Sequence, residues 1–509
     1  MYKKLISNNT LYLLLIFVIL HIVVGEDTIV VNIDNDNNKD NVTPMLEKAH
    51  DTTQTFSKEH KYDHLKEDLQ KNSMRRYYKV DRLQSNQTLV IAELEKRGLI
   101  ESKRSNNFNF KWGWSWETMY VVNDYQIVNH FPTYDEIGTK SGLTRNLNRL
   151  RKEQPDLHIE SFFPRSYVLS NPNEKNSFII DFNRQSQQPH DTNPINHHQL
   201  NDIDTLEQFG ITTNVDTLVY PEQPSIDGNE NIWIVKPSTM ARGVGIKIFK
   251  DLKSLLNYSE TFNNEFIVQK YLEKPLLIMK KKFDIRQFVL VKSLNPLVIF
   301  LNKDNYLRFC SVEYSTANID DKFAHLSNHQ VQKEFTEELT IPFNQWSLSQ
   351  FKSYLKENNQ GKDIWNDIIY SRIKDLVIKT IKSWPQEGHR KNSFELLGFD
   401  IMLTEDLQPI LIEVNTNPGL HLITDIVKVH HPNAIRDLFK VVLDNQDRWN
   451  NNKNNDNSYQ WINDQSKQQK TQLFGAWDPI YIGEYDPNIK QLEIKPKKKR
   501  FSIEPALNK

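Results

Sequence analysis

The stretch Phe394–Leu420, FELLGFDIMLTEDLQPILIEVNTNPGL, decides the fold of this chain. Two runs rich in Leu, Ile, Val and Phe flank Thr404-Glu405-Asp406, the pattern of two strands joined by a short polar turn. Neither strand needs an acid to fold, yet Asp400 sits between Phe399 and Ile401, and Glu413 and Asn415 flank Val414. Side chains alternate across a strand, so Glu413 and Asn415 share a face. If Asp400 faces the same way, three oxygen donors converge. Two carboxylates and an amide oxygen, with no Cys or His beside them, suit a hard cation such as Mg²⁺ that keeps water and phosphate oxygens as its other ligands. A solvated polar face of an antiparallel sheet accounts for the same residues, and on this stretch alone both readings stand.

Working outward, the 509 residues exceed the roughly 250–300 at which a single core stops growing, so several lobes or domains are expected. Net charge is −1, which removes any global electrostatic case for nucleic acid. The single cysteine, Cys310, allows no intrachain disulfide and fits a reducing compartment. Lys3 and Lys4 precede the apolar run Leu11–Val24, which ends at Gly25 before Glu26-Asp27. That layout makes residues 1–25 a signal peptide or signal anchor and implies membrane association through residues 11–24. Sequons at Asn41, Asn86 and Asn257 are compatible with export.

Residues 26–105 read as a low-complexity linker with one short helical pattern, Leu89–Leu99, and ordered structure is expected from about Phe108. Trp112, Trp114 and Trp116 alternate as in a buried strand. Helices follow from Thr133 and through Leu150, then a short element after Phe162 and a segment Glu174–Phe182. Residues 183–205 read as a low-complexity insertion whose His190, His197 and His198 lack a metal-ligand spacing. Asn231–Lys236 and Ile246–Phe249 form strands around a loop containing Arg242, Gly243 and Gly245, whose bare backbone N–H groups and cation can lie over phosphates. It is not a GxxxxGK[ST] loop. Phe266–Lys270 is a strand, and Lys282, Asp284 and Arg286 alternate into the next one, sharing a face that is either a salt-bridged surface or a charged site. Thr336–Ile381 reads as helical, Ala434–Val442 as an amphipathic helix, and 450–509 as a polar tail with a basic run at 495–500.

In this order, WIVKP at Trp233–Pro237, RGVG at Arg242–Gly245, VQKYLEKPLLI at Val268–Ile278, KFDIRQ at Lys282–Gln287, YLRF at Tyr306–Phe309, HLSNHQVQK at His325–Lys333 and GFDIMLTEDLQPILIEVNTNP at Gly398–Pro418 closely resemble the tubulin tyrosine ligase-like family. The resemblance runs from about Phe108 to Trp449 and makes 106–449 the catalytic domain. It implies an α+β ATP-grasp fold with N-terminal, central and C-terminal lobes and the nucleotide between the last two. It also implies that Lys236 and Lys270 meet the phosphates and adenine surroundings, and that Gln269 and Leu272 line the adenine hinge. Lys282 and Asp284 would border ribose and substrate, and Arg286 and Arg308 would hold the γ-phosphate and an anionic substrate. Asn328 belongs to the site, Asp400, Glu413 and Asn415 become the Mg²⁺ set, and His325 is read as structural. The implied reaction uses ATP and Mg²⁺ to form an acyl phosphate on a carboxylate, which the amine of a free amino acid then attacks. The implied partner is tubulin or microtubules through their acidic C-terminal tails, in cytoplasm or cilia. NFNFKW, YQIVNHF, KSGL, SFFPRSY and WSLSQFKSYL look most like the glycine-adding branch, whereas EVNTNPGL is shared with glutamate-adding members. A membrane-anchored or secreted relative acting on another target, or only binding it, is the remaining alternative.

Overall fold

The computed structural model describes residues 76–81, 87–103, 107–113, 125–186, 220–261, 264–387, 389–451 and 459–490. The chain divides into two units, 1–74 and 75–509, and the first lies outside the described residues. So do the apolar run at 11–24, the sequons Asn41 and Asn86, Trp114 and Trp116, His190, His197 and His198, the insertion from residue 187 on, and the basic run at 495–500. Among the described residues no helix is long and apolar enough to cross a membrane.

The strands are β1 (Tyr77–Val80), β2 (Ile100–Glu101), β3 (Phe110–Trp112), β4 (Ile127–Asn129), β5 (Ser166–Val168), β6 (Trp233–Pro237), β7 (Lys247–Phe249), β8 (Phe266–Lys270), β9 (Phe283–Leu294), β10 (Leu297–Phe309), β11 (Gln345–Ser347), β12 (Ser393–Leu403), β13 (Pro409–Asn415) and β14 (Trp477–Ile482). They form two sheets. The larger runs β11-β10-β9-β12-β4-β3-β1-β2, with β13 paired to β12 and β14 to β10; the smaller runs β5-β8-β6-β7. The chain is thus an α+β ATP-grasp fold.

Long apolar runs make β9 and β10 central strands buried on both faces. On one face Ile285, Val289 and Val291 pack with Leu397, Phe399 and Ile401 against the helices α1 (Leu348–Asn358) and α2 (Tyr370–Lys382). On the other, Phe288, Leu290 and Phe300 meet Ile435, Leu438 and Phe439 of α3 (Asp425–Phe439). Alternation along β9 then puts Asp284 and Arg286 on the face that Phe288 and Leu290 share with α3.

Four expectations are corrected. Ordered structure begins before Phe108: Tyr78, Val80, Val90, Leu94 and Leu99 are buried in one core with Phe110 and Phe439, so the expected linker 26–105 includes elements of the fold from Tyr77 on. The polar tail contributes β14, whose Trp477 is buried and whose indole Nε1 donates to Ala434 O at 3.0 Å. Its Pro479 is tolerated because β14 is an edge strand. The segment 336–347 carries a single 3-10 turn, Pro342–Asn344, and supplies β11; the α-helix starts at Leu348, where Ser347 forms a capping box with Gln350. Finally, α3 starts at Asp425 and continues through Pro432, because its buried face from Val427 to Phe439 packs on the sheet and outweighs the backbone hydrogen bond that proline removes.

Candidate active site

Strand register assembles the charged centre. Asp400 pairs with Arg286 across β12·β9 and with Glu413 across β12·β13, while Arg308 faces Asp284 across β10·β9. The expected alternation therefore holds, and Asp400, Glu413 and Asn415 lie together: Asn415 Nδ2 is 3.4 Å from Asp400 Oδ2 and 3.3 Å from Glu413 Oε1. The arginines also occupy this face. Arg286 donates to both carboxylate oxygens of Asp400 at 2.6 and 3.2 Å. Arg308 forks onto Asp284 at 2.7 and 2.6 Å and reaches Asp400 Oδ2 at 2.9 Å. Burial would raise the Asp400 carboxyl, but the guanidinium groups of Arg286 and Arg308 overcome it and hold the acid well below the usual carboxylate range. Ser327 Oγ donates the remaining contact to Asp284 Oδ2 at 2.5 Å.

The antiparallel β6-β7 hairpin pairs Trp233 with Phe249 and carries the glycine loop between its strands. Gly243 and Gly245 have φ of +80° and +69°, and a Cβ would lie 2.8 Å from Val331 and 2.7 Å from Pro237 respectively, so both positions require glycine. The loop is tied at its start to the helix Lys140–Glu153: Lys140 N donates to Ser238 O at 3.1 Å, and the Ser141 and Ser238 hydroxyls are 2.6 Å apart. Lys140 Nζ donates to Met240 O at 2.8 Å and stands 3.6 Å from Glu413 Oε2.

Two cavities meet at Asn328 and Glu413. The first is a cleft open to solvent between apolar walls from Ile234, Ile246, Leu272, Met402 and Ile412, with Lys236, Gln269, Lys270, Lys282 and Asp284 among its polar lining. Lys236 Nζ donates to Gln269 Oε1 at 2.6 Å, and burial pulls its ammonium down to about 7. Lys270 lines the same cavity, but its Nζ is committed to Glu273 at 2.6 Å and to Ile232 O at 3.1 Å. The second cavity, about 1010 Å³, is cationic: Arg242, Arg286 and Arg308 line it with Tyr306, Asn417 and His431.

An apolar slot beside buried lysines has the chemistry a nucleotide would need, and a cationic chamber has that for an acidic group. Among the described residues no group of three or more His, Cys, Asp or Glu could hold a metal ion. Two carboxylates and an amide nonetheless suit a magnesium ion that brings phosphate and water oxygens with it. Every expected site residue lies on one of these walls or on the glycine loop. Missed by the sequence reading were Lys140, noted only as part of KSGL, and Tyr306, Ser327 and His431. Tyr306 sits two residues before Arg308 on the same face of β10 and could have been found by alternation; the others come from helices and loops, where no periodicity points at the site.

The sequence model of the Tubulin-tyrosine ligase family matches residues 119–451, more than half of the chain. Tubulin glycylase 3B of Tetrahymena thermophila is 39% identical over 225 residues, 44% of this chain and 19% of the relative. Tubulin glycylase 3A of Drosophila melanogaster is 36% identical over 234 residues, 44% of this chain and 23% of the relative. Tubulin monoglutamylase TTLL4 of Mus musculus is 31% identical over 361 residues, 67% of this chain and 26% of the relative. The matches thus span between 19% and 26% of the length of these relatives. With the seven motifs in order and the family match across both sheets and the charged centre, this chain belongs to the tubulin-tyrosine ligase family.

Proposed function

We propose that this chain is an ATP-dependent, ADP-forming ligase that adds glycine to glutamate side chains in the acidic C-terminal tails of tubulin, on the cytoplasmic or ciliary cytoskeleton. The observation that carries this reading is the junction of the two cavities, where Asp400, Glu413 and Asn415 stand beside Arg286 and Arg308. ATP and Mg²⁺ would supply the phosphoryl group that turns the acceptor carboxylate into an acyl phosphate and the charge that screens its transfer. In this reading Ile234, Leu272 and Met402 enclose the base, while Lys236, Arg242 and the N–H groups around Gly243 and Gly245 hold phosphate oxygens. Asp400, Glu413 and Asn415 hold the cation. With a cation held there, Arg286 and Arg308 would have the acceptor carboxylate and the transferring phosphoryl group as anionic partners in addition to Asp400. Burial of Lys282, Asp284 and Arg308 keeps water from the activated carboxyl.

Glycine is preferred as the added amino acid because the glycylases are the more similar relatives, at 36–39% identity in the two compared. Glutamate is the second reading, supported by the longer match to the monoglutamylase. Incubation of the full chain with ATP, Mg²⁺, microtubules and either labelled glycine or labelled glutamate tests it. Label from glycine is expected in tubulin tails; label from glutamate alone supports the second reading, and no label from either amino acid, with nucleotide bound, overturns both.

A further inference from the structure

Lys282, just before β9, lines the first cavity and is 2% exposed. Its Nζ donates to Tyr271 Oη at 2.7 Å and to the His325 carbonyl at 3.1 Å, and lies 4.2 Å from the centroid of the Tyr271 ring. Tyr271 Oη is in turn 2.8 Å from His325 Nδ1, and His325 Nε2 is 2.9 Å from the carbonyl of Asn318. A carbonyl only accepts, so Nε2 carries the imidazole proton and Nδ1 offers its lone pair to the Tyr271 hydroxyl hydrogen. That fixes the direction of the whole chain: Lys282 N–H to Tyr271 oxygen, Tyr271 O–H to His325 Nδ1, His325 Nε2–H to Asn318. Two of the three protons of a charged Lys282 are thereby committed, and one is left for a ligand in the cavity. Tyr271 is also the neighbour of Leu272 in the cavity wall, so the same residue belongs to the base-side hinge and to the lysine's setting.

We propose that Tyr271, oriented by the neutral His325 ring, is a positioning residue that holds the Lys282 ammonium in the cleft and ties it to the nucleotide hinge. The proposal rests on the ligase reading for its use, but not for its test. Charged and titratable groups facing Lys282 are Lys236 on β6, Asp284 on β9, Cys310 after β10, Tyr271, Tyr314 and His325. Burial lowers Lys282 to about 8, so its charge is sensitive to the loss of a single acceptor. Removing the Tyr271 oxygen takes a partner from the charged form only, and the lysine then titrates at lower pH.

Trace labelling of the full chain with acetic anhydride across roughly pH 6 to 10, read at the Lys282 peptide by mass spectrometry, measures that titration without any turnover. In Tyr271→Phe, which keeps the ring, the midpoint is expected to fall by about half a unit to one unit relative to wild type. Tyr314→Phe should move it less, because that hydroxyl donates to the Glu273 carbonyl at 2.8 Å and reaches the lysine only through Tyr271. An unshifted midpoint in Tyr271→Phe, or an equal shift in Tyr314→Phe, overturns the proposal. So does a wild-type midpoint near the ordinary lysine value of about 10.4, a reading that needs no variant to fold. Absence of ligase activity alongside the expected shift counts against the function proposed above and leaves this inference standing.

Discussion

Arg308→Met should destabilise the fold through a specific debt that a second substitution can cancel. Arg308 is 8% exposed, supplies two hydrogen bonds to Asp284, itself 4% exposed, and forms an ion pair with Asp400, 2% exposed. Methionine keeps most of the stem's volume but leaves Asp284 with the Ser327 hydroxyl and Asp400 with Arg286 and the longer Asn415 contact at 3.4 Å. Breaking a buried ion pair by removing one partner costs about 3–5 kcal/mol, roughly two to four decades in the folded-to-unfolded ratio. Replacing both members by apolar residues is often nearly neutral, so Arg308→Met with Asp284→Leu should regain most of that loss while remaining inactive. The sign of the acid dependence follows too. Asp400 is held below its ordinary value of 3.8, so its contribution is present above that value and lost as pH falls through the lower folded one. With one guanidinium gone its carboxyl titrates higher, and acid unfolding of the single variant should begin at higher pH. Urea midpoints of wild type, single and double variants measure this. A single variant as stable as wild type, or a double variant no better than the single, refutes the reasoning.

Glu413→Gln keeps volume while removing charge at the proposed cation site; turnover should fall by about a hundredfold or more with an unchanged urea midpoint, and wild-type turnover would remove Glu413 from the metal set. Lys236 titrates at about 7 against an ordinary 10.5, so between these values the unfolded chain holds the extra proton and this group adds stability as pH rises through the window. Nucleotide phosphates should recharge it, so calorimetry near pH 8 in buffers of different ionisation enthalpy should find uptake of up to about one proton per nucleotide; zero uptake contradicts the assignment. Trp477→Ala should cost about 3–5 kcal/mol of stability by emptying a buried indole site between β14 and α3, whereas a wild-type denaturation midpoint would show that β14 is dispensable.

Much of the fold was legible because its central strands advertise themselves. β12 and β13 were readable from apolar runs around a turn, and β9 from alternation, since period-2 burial leaves Asp284, Arg286 and Asp400 as acids and bases where apolar residues would pack as well. The edges were less legible. β1 and β14 are short, sit among Asn, Lys and Gln, and owe their order to Tyr78 and Trp477 burying against residues hundreds of positions away, a contact no local pattern encodes. The expected helix Ala434–Val442 starts too late, because burial of Val427, His430 and His431 carries the helix from Asp425 through Pro432. In the site, the residues carried by strands were found; Lys140, Ser327 and His431 were not, because helix and loop positions declare their facing only after the chain has folded. The solvated-face reading of the hairpin does not hold for Asp400, which is buried and held by two arginines from β9 and β10, while Glu413 is half-buried beside Lys140.

The central claim is that a carboxylate is activated by phosphoryl transfer at the Asp400–Glu413–Asn415 junction. The most direct measurement uses an acceptor peptide whose glutamate side-chain carboxyl is labelled with ¹⁸O, together with ATP, Mg²⁺ and glycine. Attack of the amine on the acyl phosphate expels phosphate carrying one former carboxylate oxygen and leaves the other in the amide. The expected result is one ¹⁸O in the phosphate released for each amide formed, with one ADP. Amide formation with unlabelled phosphate, or without ADP, would contradict it.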